Sequence, residues 1–125
     1  MAPDDALELR DHSAFAAELA ALRYDQPREF RAVLNARRML GACGLKLGFP
    51  HTSAVRGGDL GLRELRPRAG RSRYRVLYRR HGDDLILLAL APEALTDPQG
   101  FLRAIATAEG RLRSLSEPEN RDPRV

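Results

Sequence analysis

The residues in this sequence best suited to chemistry are arginines, and they are concentrated in one segment. Nine arginines lie between Arg56 and Arg80 against two acids, so this segment has a formal charge of +7 while the whole chain has +4. Guanidinium groups bind phosphates through paired hydrogen bonds, and aromatic rings such as those of Tyr74 and Tyr78 stack on unpaired bases. The segment therefore predicts binding to a polyanion that has a phosphate backbone and unpaired bases.

The predicted RNA-binding side chains all belong to this segment, and they are Arg63, Arg68, Arg71, Arg73 and Tyr74. A compositional alternative exists, because the chain has 20 arginines and a single lysine. A genome of biased base composition encodes arginine wherever a solvated cation is needed, but such a bias disperses arginine along the chain. The clustering favours a binding surface.

Cleavage of RNA without a metal ion needs cations around the phosphate, together with an acid and a base that move two protons. Arginine supplies the cations, but its pKa above about 12 makes it a weak proton carrier. Glu64, which lies between Arg63 and Arg66, and His51 are the candidates for proton transfer. For Glu64 an ordinary ion pair with a neighbouring arginine is the alternative role.

Other kinds of chemistry have little support in the sequence. The three histidines, at positions 12, 51 and 81, do not pair at helical spacing, so neither a metal site nor a cofactor is predicted. The sequence contains neither a G-x-S-x-G nucleophile motif nor a G-x-x-x-x-G-K phosphate loop. The single cysteine, Cys43, excludes an internal disulfide and is predicted to pack among apolar neighbours.

The length and composition predict one domain. The chain has 125 residues, of which 43% are apolar, and we expect a domain over residues 1–115 followed by a disordered polar tail at 116–125. The N-terminus lacks the basic start and apolar core of a signal peptide, and the longest apolar run, residues 85–91, is too short to cross a bilayer. A cytoplasmic protein that does not enter the membrane is expected.

Three helices are predicted around the arginine segment. Apolar residues at i, i+4 and i+7 from Ser13 onward predict the first helix, and Pro27 opens a second one that ends near Gly44. Asp97 is a plausible cap and Pro98 a plausible first residue for a last helix. The segment 45–61, which is rich in glycine and proline, is predicted to be a loop.

Residues 60–66, 73–80 and 84–91 read as three strands joined by turns, and a further short strand around Leu9 has a weak signal. The predicted fold is therefore α+β, with two N-terminal helices, a small antiparallel meander and a C-terminal helix. In the strand 73–80, alternation directs Tyr74, Val76 and Tyr78 to a packed face and Arg75 to an exposed, largely cationic face. The strand 84–91 is apolar on both faces and is expected inside the sheet.

Three runs of this sequence carry a resemblance to a known family. They are Gly-Leu-Arg-Glu-Leu-Arg at 61–66, Tyr-Arg-Val-Leu-Tyr at 74–78 and Leu-Ile-Leu-Leu-Ala-Leu at 85–90. Their spacing, over roughly residues 15–115, resembles the RelE/HigB-like toxins of type II toxin–antitoxin modules, within the RelE/ParE superfamily. The resemblance implies a microbial ribonuclease fold. It also implies the activity of an endoribonuclease (mRNA interferase), which cleaves mRNA in the ribosomal A site and so inhibits translation. The partner implied is an antitoxin, often of helix-turn-helix type, that forms a hetero-oligomer with the toxin.

The resemblance also assigns site residues. Arg75 occupies the arginine position of the Tyr-Arg-Val-Leu-Tyr motif, which in the family contacts the scissile phosphate, and Arg66 supports the same site. Together with Glu64 they are the predicted catalytic residues. The sequence departs from the family where a cationic segment follows the last strand, because Glu93 stands there instead, and Phe101 stands where some members have a tyrosine.

Two alternatives to a ribonuclease stay open at the level of sequence. One is a non-catalytic basic module that binds RNA or a protein partner with the same fold. The other is ParE-like interference with a topoisomerase.

Overall fold

A computed structural model describes residues 7–116 of the chain, and these residues form three α-helices and one five-stranded sheet. In chain order the elements are β1 (Glu8–Asp11), α1 (Ser13–Asp25), α2 (Pro27–Cys43), β2 (Thr52–Ala54), β3 (Arg63–Leu65), β4 (Tyr74–His81), β5 (Asp84–Pro92) and α3 (Pro98–Ser116). The α+β class is confirmed. The predicted disordered tail lies, from residue 117 onward, outside the described residues.

The sheet has the strand order β1-β5-β4-β3-β2. Strands β2 to β5 form an antiparallel meander, whereas β1 lies parallel to β5 at the edge. The predicted antiparallel meander is therefore present, and the weak strand near Leu9 adds a parallel edge that makes the sheet as a whole mixed. The segment 45–61 also contains β2, which has only three residues and therefore too little alternation to be recognised.

Helices cover both faces of the sheet. On one face α1 and α2 pack on β4 and β5 through residues such as Phe15, Leu40 and Tyr78. On the other face α3 packs through residues such as Phe101 on Leu77 and its neighbours. Strand β5 lies between β1 and β4 and is buried on both faces, as predicted from its apolar composition.

The exposed cationic face predicted for β4 is not present. Leu77 is fully buried beneath α3, and Arg75 is only 5% exposed. The alternation is correct, because Val76 and Tyr78 pack on the α1–α2 side, but the opposite side is covered by elements distant in sequence. Within β4 the exposed cations are Arg79 and Arg80, at the end of the strand.

An ion pair completes the edge of β5 where β1 ends. Strand β1 pairs with β5 only as far as Leu87, so the backbone groups beyond it need other partners. The guanidinium of Arg111 donates to the carbonyl of Leu88 at 2.7 Å, and the carboxylate of Glu18 accepts from the N–H of Leu90 at 3.0 Å. Arg111 and Glu18 also bind each other at 2.8 Å, which links α3 to α1 around the sheet edge.

His12 caps the N-terminus of α1 beside this ion pair. Its Nδ1 accepts a 3.0 Å hydrogen bond from the backbone N–H of Ala14, which requires that Nδ1 carry no proton. Burial lowers the pKa of His12 below 6.5, the charge of Arg111 acts in the same direction, and the charge of Glu18 opposes them. The cap therefore depends on pH.

We expect the His12 cap to stabilise the fold fully above pH 6.5 and to be lost as the pH falls below that value, because the folded chain binds the proton less readily than the unfolded chain. His12→Asn keeps a capping oxygen and cannot titrate. Its free energy of unfolding, relative to that of the wild type, should rise by up to about 1 kcal/mol from about pH 7.5 to about pH 5. Urea unfolding measures the difference, and a value independent of pH would contradict the assignment.

Candidate functional site

The three predicted catalytic residues lie together at the end of β3 and the start of β4. Glu64 lies opposite Leu77 in the ladder, and Arg66 follows on the same face because strand side chains alternate. The charges of Arg66 and Glu64 both act on the pKa of Arg75, so the three groups are close enough to interact. Glu64 lines one open cavity and Arg66 lines a neighbouring one, whereas Arg75 is buried and lines neither of them.

Glu64 has two polar partners. Its Oε1 accepts from the hydroxyl of Ser53 at 2.9 Å and from Nη1 of Arg66 at 3.0 Å. The ion pair with a neighbouring arginine, which is the alternative role for Glu64, is therefore present. The side chain is 13% exposed and lines a cavity of about 700 Å³, so the carboxylate is reachable from solvent while its position is fixed.

Arg66 keeps much of its hydrogen-bonding capacity. Besides the bond to Glu64, its Nε donates to the carbonyl of Pro50 at 3.1 Å, so the recorded bonds use two of the five guanidinium N–H groups. The guanidinium carbon lies 5.3 Å from the centre of the Phe49 ring, in a cation–π arrangement. These contacts orient the guanidinium and leave donors that can bind a phosphate.

Arg75, unlike Arg66, uses most of its hydrogen-bonding capacity inside the molecule. Its Nη1 donates to the carbonyls of Ser72 at 2.8 Å and Tyr74 at 2.9 Å, and its Nη2 donates to the carbonyl of Gly70 at 3.2 Å and to Glu93 at 3.3 Å. Four of its five N–H groups are thus used inside the molecule. Burial, followed by the charge of Arg66, lowers the pKa of Arg75. The expectation that Arg75 is an exposed arginine without a buried partner is wrong.

The loop that Arg75 binds has an unusual backbone. Arg68 and Ala69 have positive φ values of 56° and 55°, a conformation that costs non-glycine residues roughly 1–2 kcal/mol each. Ser72 is buried beneath the loop, donates to the carboxylate of Glu29 in α2 and accepts from the N–H of Tyr74. These bonds, together with those of Arg75, hold the loop against α2.

The loop places several arginines opposite the first turns of α2. The residues of this arginine groove are Arg28, Arg31, Arg68, Arg71, Arg73 and Tyr74. They line two cavities of about 390 and 380 Å³, and all five arginines are exposed. Four predicted RNA-binding residues therefore lie together, and α2 adds two that the sequence analysis missed. Their spacing of i, i+3 on a helix is a signal that could have identified them.

Arg63 does not belong to this groove. It faces the α1–α2 side of the sheet, in line with Leu65, and its Nη2 donates to the buried hydroxyl of Thr52 at 2.6 Å.

His51 lines a cavity of about 240 Å³ that is also bordered by Arg66, Arg68 and Arg71. This cavity connects the Glu64–Arg66 pair to the arginine groove.

Residues 7–116 contain neither a cluster of metal ligands nor a helix that could span a membrane. No three His, Cys, Asp or Glu side chains of this range are grouped so that they could hold a metal ion. No helix of the range combines the length and the apolar character needed to cross a bilayer.

Comparison with known proteins gives no match among protein-family models, curated protein sequences or solved structures.

We expect Arg75→Ala to lower the free energy of unfolding by about 2–4 kcal/mol, because it leaves three carbonyls and the carboxylate of Glu93 without their partner. Arg79→Ala removes an exposed arginine from the same strand and should change it by no more than about 0.5 kcal/mol. Urea unfolding compares the two variants. Equal stability of the two would show that Arg75 does not hold the loop.

Proposed function

We propose that this chain is the toxin of a type II toxin–antitoxin module, with a RelE-like fold, and that it cleaves ribosome-bound mRNA without a metal ion. The observation that carries the proposal is the Glu64–Arg66 pair, in which a fixed carboxylate that lines a cavity of about 700 Å³ lies beside a guanidinium with spare donors. The element order, two helices followed by a meander and a last helix, supports the fold that the resemblance implies.

In the proposed reaction Glu64 removes the proton of a ribose 2′-hydroxyl, the 2′-oxygen attacks the adjacent phosphorus, and the bond from phosphorus to the 5′-oxygen breaks. The products are a 2′,3′-cyclic phosphate and a 5′-hydroxyl that takes its proton from His51, the second predicted proton carrier. Arg66 holds the phosphate as negative charge builds up on its oxygens. No step requires a cofactor.

The phosphate ligand in this proposal is Arg66, whereas the resemblance assigned Arg75. Recorded hydrogen bonds use two N–H groups of Arg66 and four of Arg75. Breaking the bonds of Arg75 to reach a phosphate would leave buried carbonyls unpaired, at about 1–3 kcal/mol for each. Arg75 therefore acts through the loop that it positions.

The arginine groove extends the proposed RNA-binding surface. Five exposed arginines face one acid there, Glu29, and its carboxylate is bound to the buried Ser72. The like charges therefore have little compensation within the groove, which favours a polyanionic ligand. This observation also supports the second candidate function, a module that binds RNA without cleaving it.

Glu64→Gln should reduce mRNA cleavage by at least about 100-fold while RNA affinity is retained, because the amide keeps the shape of the side chain but cannot take a proton. Glu8→Gln, on the exposed face of β1, is the matched control and should cleave like the wild type. The measurements are cleavage in a translating extract and growth arrest on induction. Wild-type protein that binds RNA but neither cleaves nor arrests growth would leave the non-catalytic candidate.

Binding to single-stranded RNA should depend on salt through the arginine groove. Each of Arg68→Ala, Arg71→Ala and Arg73→Ala should reduce the slope of log affinity against log salt by about 0.7, the value expected for one phosphate contact. Arg79→Ala, at the other end of β4 from Arg73, should leave the slope unchanged. Unchanged slopes for all three groove variants would exclude the groove as the RNA-binding surface.

A further inference from the structure

We infer that the cavity beside Glu64 is a nucleobase-binding site in which one base of single-stranded RNA stacks on the ring of Phe49. The inference rests on the proposed function, since its ligand is the RNA, and it adds a residue that neither the arginine cluster nor the resemblance assigned. Phe49 lies in the segment between α2 and β2, just before the edge strand of the sheet.

Phe49 is held in position although it is exposed. The residue is 77% exposed, which leaves a large apolar surface in water. The guanidinium of Arg66 lies over the ring, and that guanidinium is itself fixed by Glu64 and by the carbonyl of Pro50. The ring is therefore a platform with a cation behind it rather than a loose side chain.

The cavity next to this platform has the size and lining of a ligand site. Its volume of about 700 Å³ lies within the range of sites that bind small molecules. Phe49, Phe101, Pro98 and Leu102 give it apolar walls. Ser53, Glu64 and Arg56 add a hydroxyl, a carboxylate and a guanidinium to the same lining.

A nucleobase fits this combination better than an apolar peptide does. The flat faces of a base match the aromatic walls, while its polar edge can bind the hydroxyl and the charged groups of the lining. The cations of Arg56 and Arg66 complement the phosphates on either side of such a base. An apolar side chain in the same place would remove water from Glu64 and Arg56 without forming a hydrogen bond to either of them.

The position of the platform also explains how a substrate could be aligned. Arg66 contacts both the Phe49 ring and the carboxylate of Glu64. A base stacked on Phe49 thus brings its own ribose and phosphate to the pair that is proposed to act on them. Stacking is tolerant of base identity, so the site selects an unpaired nucleotide rather than a sequence.

The test is a double-mutant cycle in which the Phe49 ring and the RNA base are removed separately and together, and RNA affinity is measured. The ligand is short single-stranded RNA in which every 2′-hydroxyl is methylated, so that cleavage cannot occur. One nucleoside at a time is replaced by an abasic residue. For the wild type, removal of the base at one position should weaken binding by about 10-fold, the usual effect of losing one stacked base. For Phe49→Leu, binding to intact RNA should be weaker by a similar factor, and the abasic residue at that position should have no further effect.

Two variants complete the experiment. Phe49→Tyr keeps an aromatic ring and should behave like the wild type, whereas Tyr24→Leu removes an exposed ring in α1, 81% exposed, and should have no effect. Wild-type affinity of Phe49→Leu, or an equal abasic penalty in Phe49→Leu and the wild type, would overturn the inference. Binding with the expected coupling but without cleavage of unmodified RNA would overturn only the catalytic proposal, and failure of the wild type to bind RNA would overturn both.

Discussion

The arrangement of the candidate site depends on one buried guanidinium, that of Arg75. It binds the carbonyls of Gly70, Ser72 and Tyr74 and thereby ties the loop between β3 and β4 to the start of β4. Through Glu93 it also ties this loop to the segment that leads from β5 into α3. Since unpaired buried carbonyls are costly, the loop retains the backbone that presents the arginine groove.

The guanidinium groups of Arg66 and Arg75 lie close together because carboxylates offset their repulsion. The charge of Arg66 disfavours the charged form of Arg75, and the carboxylates of Glu64 and Glu93 favour it. Each arginine has its own acid, Glu64 for Arg66 and Glu93 for Arg75. The two arginines therefore differ in role. Arg75 donates its hydrogen bonds to carbonyls of the protein, whereas Arg66 keeps N–H donors that are not used within the protein.

Periodicity and capping signals predict most of the elements correctly, because they report which side of each element is apolar. The first turn of α3 is an example, in which Asp97 accepts from the N–H of Gly100 and Pro98 begins the helix. The burial of Arg75 is not predictable in this way, since its partners are carbonyls of a loop and an acid after β5. The position of Phe49 against Arg66 depends likewise on how the strands pair, which local sequence does not report.

The acid at position 93 is consistent with this division of roles. The resemblance leads one to expect cations after the last strand, where they would add charge to an exposed phosphate site. Here the neighbouring Arg75 is buried, and a second buried cation beside it would have no counter-charge, at a cost of several kcal/mol. Glu93 supplies that counter-charge. The departure at residue 93 and the burial of Arg75 are thus two parts of one arrangement, and any chemistry at this site must rely on the Glu64–Arg66 pair.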